Sequence, residues 1–120
     1  MVIMIVGKPG AGKTHHAYAL AKEYSLRGEP AAVLDGDEVR AETDNRDFTD
    51  TGRRQHLVKI ANMAAKFERH GIVAVVAVVA PKKEYRDMMR GHWQKSRMIY
   101  LPGGSLWEGT EYEAPRDAEF

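Results

Sequence analysis

Residues 7–14 read Gly7-Lys8-Pro9-Gly10-Ala11-Gly12-Lys13-Thr14 and fit the pattern G-x-x-x-x-G-K-[ST] in full. Each residue type in this run suits a polyphosphate. Glycines let backbone N–H groups turn inward and approach phosphate oxygens closely. A helix opening at the end of the loop adds the positive end of its dipole. Lys13 would neutralise the β- and γ-phosphates of ATP, and the Thr14 hydroxyl would take one position on Mg2+. The competing reading is an ordinary glycine-rich turn. The run follows a predicted strand and opens a predicted helix, which is the context that favours the phosphate reading.

A second cluster, Asp35-Gly36-Asp37, falls at the carboxyl end of the next predicted strand. Phosphoryl transfer to a hydroxyl needs a carboxylate that accepts the hydroxyl proton or holds Mg2+ through water. The third strand ends Val78-Val79-Ala80-Pro81 without an acid, so Asp35 and Asp37 are the candidates. The bland alternative is a strand-end turn with Asp37 as the N-cap of a short helix through Arg40. Together with a complete phosphate loop, the pair reads as catalytic.

These groups need a scaffold, and the hydrophobic pattern supplies one. Met1 to Val6, Ala31 to Leu34, Ile72 to Val79 and Arg97 to Leu101 read as strands, the first and third apolar on both faces. Between them, Ala17, Leu20, Ala21 and Tyr24 form one helical stripe, and Leu57, Ile60, Ala61, Ala64 and Phe67 form another. Gly28 and Gly71 stand where those helices should stop. A helix of about ten residues after Pro81 turns Tyr85, Met88 and Met89 inward. The fold class is α/β: a P-loop NTPase fold with a short parallel sheet of about four strands flanked by helices. Residues 1–120 form a single domain whose last stretch, 102–120, is an irregular tail. Right-handed crossovers place ligands at the carboxyl ends of parallel strands, so the segments after Val6, Leu34 and Val79 should surround one crevice.

Composition narrows the rest. The chain has 120 residues, a net charge of +1 and no cysteine, which excludes disulfides, thiolate metal sites and a cysteine nucleophile. Nothing in that charge calls for a nucleic-acid or membrane partner. The apolar start is shorter than the roughly 7–15 residues of a secretory h-region, so the expectation is a cytoplasmic protein. No N-K-x-D motif is present, which weakens a GTPase reading.

The series GKPGAGKT, LDGDEVR at 34–40, DFT at 47–49 with Arg53, and VVAP at 78–81 resembles the adenylylsulfate kinase family, as does the ending from Trp107 to Pro115. The resemblance implies that Asp37 lies at the acceptor hydroxyl with Asp35 beside it. It implies that Arg40 and Arg53 hold the acceptor's sulfate or phosphate, and that Phe48 and Trp107 stack on its adenine. The bland alternatives are a core cap for Phe48 and a solvated helix charge for Arg53. The implied cofactors are ATP and Mg2+, the implied partner is adenylylsulfate or a similar small acceptor, and a homodimer is left open.

The departures are specific. The family's D-R-x-E-N is Gly52-Arg53-Arg54-Gln55-His56 here, and its I-S-P serine is Ala80. The family's segment after strand four, with its helical lid over ATP, is missing: Leu101 leads through Pro102-Gly103-Gly104 almost directly to Trp107. Weaker water exclusion should follow. The rival readings are a P-loop kinase for another hydroxyl acceptor, such as a nucleoside, and a nucleotide-binding module without transfer. His15 and His16, adjacent on the first helix, read as surface residues rather than a metal pair. The basic stretch from Lys82 to Arg97 reads as a solvated face.

Overall fold

The computed structural model describes residues 1–42, 49–105 and 112–116. Four strands, β1 (Val2–Val6), β2 (Ala31–Asp35), β3 (Val73–Val78) and β4 (Ser96–Tyr100), form one sheet in the order β2-β3-β1-β4. All three pairings are parallel, with Val6 in register with Val78 and Tyr100, and Asp35 with Ala77. The sheet alternates with α1 (Lys13–Leu26), α2 (Gly36–Glu42), α3 (Asp50–Arg69) and α4 (Lys83–Arg90).

Strand side chains alternate between two faces, and each face finds its own cover. Ile3, Ile5, Val73, Val75 and Ala77 pack on Ala17 and Ala21 of α1, with Leu20 and Tyr24 at the margin. Val2, Met4, Val6, Ala74, Val76 and Val78 pack on the other side against Leu57, Ile60, Ala61 and Ala64 of α3 and Tyr85 and Met89 of α4. Phe67 and Met88 are partly buried against that cluster. β1 and β3, flanked on both sides within the sheet, are wholly buried. This is why their sequences are apolar without alternation.

The helix ends follow local chemistry. α1 stops where Gly28 turns left-handed, at φ 81°. α3 begins at Thr49, whose hydroxyl accepts from the Gly52 N–H at 3.2 Å. α4 is eight residues long and carries an arginine, Arg86, that is wholly buried. The solvated reading of the basic stretch therefore fits exposed Lys82 and Lys83, which pair with Asp50, Glu84 and Asp87, but fails for Arg86.

The described tail residues, 102–105 and 112–116, have no helix or strand, and they are docked. The Ser105 N–H donates to the Pro9 oxygen at 3.1 Å, and the Glu113 N–H donates to the Pro81 oxygen at 2.7 Å. Gly104 lies so close to the phosphate loop that a Cβ there would come within 2.3 Å of the Pro9 oxygen. No helix among the described residues is long and apolar enough to cross a membrane.

Candidate functional site

The loop between β1 and α1 carries the phosphate motif. Its last glycine, Gly12, is the N-cap of α1 at φ 93°, a conformation that costs a side-chain residue dearly. No side chain caps this helix, which leaves its first N–H groups for an anion. Lys13 is half-buried, and its Nζ donates back to the Lys8 oxygen at 3.0 Å. Burial lowers the Lys13 pKa, while Asp37 and Asp35 pull it up; the two carboxylates therefore favour the charged form.

Asp35 ends β2, buried at 5% exposure, and its two oxygens face different ways. Oδ2 accepts from the Thr14 hydroxyl at 2.5 Å. Oδ1 accepts from the N–H groups of Asp37 at 2.9 Å and Glu38 at 3.3 Å. The capping carboxylate of α2 is thus Asp35, two residues before the Asp37 of the bland alternative, because the helix already starts at Gly36. Asp37 lies inside the first turn, exposed and without a capping role.

One cleft of about 590 Å³ joins these groups. Pro9, Gly10, Gly12, Lys13 and Thr14 line one end, and Asp35, Asp37, Arg40, Arg53 and the turn at 78–81 line the rest. The expected crevice at the carboxyl ends of β1, β2 and β3 is therefore present. Gly7, Lys8 and Ala11 belong to the loop without lining the cleft. Phe48 and Trp107, expected at the acceptor's adenine, lie outside the described residues.

Two histidines join the wall. His15 follows Thr14 on the first turn of α1; it is exposed, as is His16, and it also lines the cleft. The signal was its position next to the phosphate-loop threonine. His56, the replacement for an asparagine in the resembling pattern, is 6% exposed, and its Nδ1 has no hydrogen-bond partner among the described residues. Burial, with Arg40 adding repulsion, lowers its pKa to about 4, so the ring is neutral at pH 7. Among the described residues no group of three His, Cys, Asp or Glu is placed to hold a metal.

The chain matches the family model described as adenylylsulphate kinase over residues 1–102. A probable adenylyl-sulfate kinase of Archaeoglobus fulgidus is 37% identical over 100 residues, 82% of this chain and 64% of that protein. The adenylyl-sulfate kinase of Bacillus licheniformis is 35% identical over 91 residues, 74% of this chain and 46% of its own. The chain thus spans about half to two thirds of the relatives it matches. Among solved structures, an APS kinase of Mycobacterium tuberculosis in complex with AMPPNP and APS shares the fold, with a TM-score of 0.78 at 22% identity, covering 83% of this chain and 61% of that one. The chain belongs to the adenylylsulphate kinase family.

Proposed function

We propose that this family member is an ATP-dependent phosphotransferase that moves the γ-phosphoryl of ATP to the 3′-hydroxyl of adenylylsulfate. One observation carries the reading. The phosphate loop, the carboxylates of Asp35 and Asp37 and the guanidinium groups of Arg40 and Arg53 line a single cleft.

Each residue then has a task. The amides of residues 8–14 and the Lys13 ammonium bind the triphosphate and spread its charge. Thr14 and Asp35 offer hard oxygen donors, which suit Mg2+ held largely by phosphate oxygens and water. Mg2+ supplies charge neutralisation on the phosphates when bound. Arg40 and Arg53 hold the acceptor's anionic group, a role for a planar guanidinium. Asp37 accepts the hydroxyl proton as the new O–P bond forms and the bond to the ADP oxygen breaks. Positioning and electrostatics account for most of such a reaction, so a site without the family's lid segment still works, more slowly.

ADP release measured with adenylylsulfate, with a nucleoside panel and without acceptor tests the reading. Turnover with adenylylsulfate alone supports it. Turnover only with a nucleoside assigns another acceptor, and tight ATP binding without acceptor-dependent release makes the chain a binding module.

A further inference from the structure

Arg86 is wholly buried on α4, and none of the steps above uses it. Its Nη1 donates to the main-chain oxygen of Ala80 at 2.9 Å. Ala80 is the one non-glycine residue with positive φ among those described, at 39°, and it is 2% exposed. Pro81 follows it, and a proline pushes the residue before it toward extended backbone. A left-handed alanine in that place is strained and persists only where its surroundings over-determine it.

A buried guanidinium has the converse need. It must keep strong hydrogen-bond acceptors, because removing compensation from a buried charge is costly. The Ala80 carbonyl supplies one in the present geometry of the turn. Val79, Ala80 and Pro81 line the same cleft as Arg53 and His56. If Ala80 relaxed to extended backbone, that wall would be re-aimed.

We propose that Arg86 is a positioning residue for the acceptor: through the Ala80 carbonyl it holds the turn at 79–81 in its left-handed form and so fixes the wall against which the acceptor lies. The inference rests on reading that half of the cleft as the acceptor site, and not on which acceptor it takes.

The test uses the full chain with Arg86→Met, Ala80→Gly and the double variant. Glycine carries no Cβ penalty at positive φ, so it can keep the turn without Arg86. Arg86→Met should raise the acceptor KM about tenfold and the ATP KM less than about twofold, and the added Ala80→Gly should recover most of that loss. Amide exchange at Val79 and Ala80 should quicken in Arg86→Met and slow again in the double variant, with or without turnover. If Arg86→Met does not fold, Arg86→Lys, which keeps the charge and loses the planar fork, carries the same comparison. Equal rises in both KM values, a folded double variant without recovery, or unchanged exchange at 79–80 would each overturn the proposal. Failure with adenylylsulfate, but KM rise and recovery with another acceptor, refutes the substrate assignment and supports Arg86.

Discussion

Thr14 Oγ1 lies 2.5 Å from Oδ2 of Asp35, so the last residue of the phosphate loop is tied to the last residue of the second strand. The other oxygen of the same carboxylate caps α2. One side chain therefore holds both the start of α1 and the helix that carries Asp37 and Arg40.

These two duties separate by substitution. Asparagine caps helices as well as aspartate does, so Asp35→Asn should leave the melting temperature nearly unchanged. Loss of its charge should still weaken Mg2+-dependent ATP binding. Asp35→Ala removes the cap too and should cost about 1 kcal/mol of stability. Calorimetry of ATP binding with and without Mg2+, beside thermal melts, checks both; equal melts for the two variants would contradict the capping role.

Asp37 is exposed and caps nothing, so its removal should be nearly silent in stability. Asp37→Ala should lower kcat by about 10²–10⁴, the usual worth of a general base, and leave ATP affinity largely intact. Wild-type turnover in this variant would take Asp37 out of the mechanism.

His56 makes a pH prediction. Its folded pKa is near 4 against an ordinary 6.5, so between these values the unfolded chain binds the extra proton and the folded chain does not. Stability from this residue is therefore full above pH 6.5 and falls as the pH drops toward 4, by roughly 3 kcal/mol at most. Arg40 faces the ring, and Asp35, Asp37, Arg53 and Lys13 line the same cleft. His56→Leu should remove this part of the pH slope and, by deleting an unpaired buried nitrogen, stabilise the chain by about 1 kcal/mol. Denaturant melts of both proteins between pH 4 and 7 measure it; parallel slopes would refute the assignment.

Tyr85 braces α4 against α3: its ring is buried, and its hydroxyl donates to Asp50. Burial first and the Asp50 contact second push its pKa up to about 12. Tyr85→Phe should cost about 1 kcal/mol, the net worth of a typical hydrogen bond. Ultraviolet titration should show the loss of one phenol that ionises late.

Much of this was legible in residue order. The strands β1 and β3 were visible because burial on both faces demands unbroken apolar runs, and α3 because Leu57, Ile60, Ala61 and Ala64 keep helical spacing. The phosphate loop was visible because its glycines and Lys13-Thr14 are local in the chain. Contacts decided by packing and by where elements end were not. Nothing near Arg86 announces that its guanidinium turns inward to Ala80, six residues back. Nor does the order Asp35-Gly36-Asp37 reveal which acid caps α2, since that depends on where the strand yields to the helix. The burial of His56 follows from packing against Gly36 and β3 rather than from its neighbours in sequence.

The backbone bond from Ser105 to Pro9, with Gly104 pressed on the same loop, joins the segment after the fourth strand to the first loop of the chain. Two stretches nearly a hundred positions apart thus share one rigid seam. A bulky substitution at Gly104 would drive its Cβ into the Pro9 oxygen and against the Ala11 N–H, and so distort the loop that opens α1.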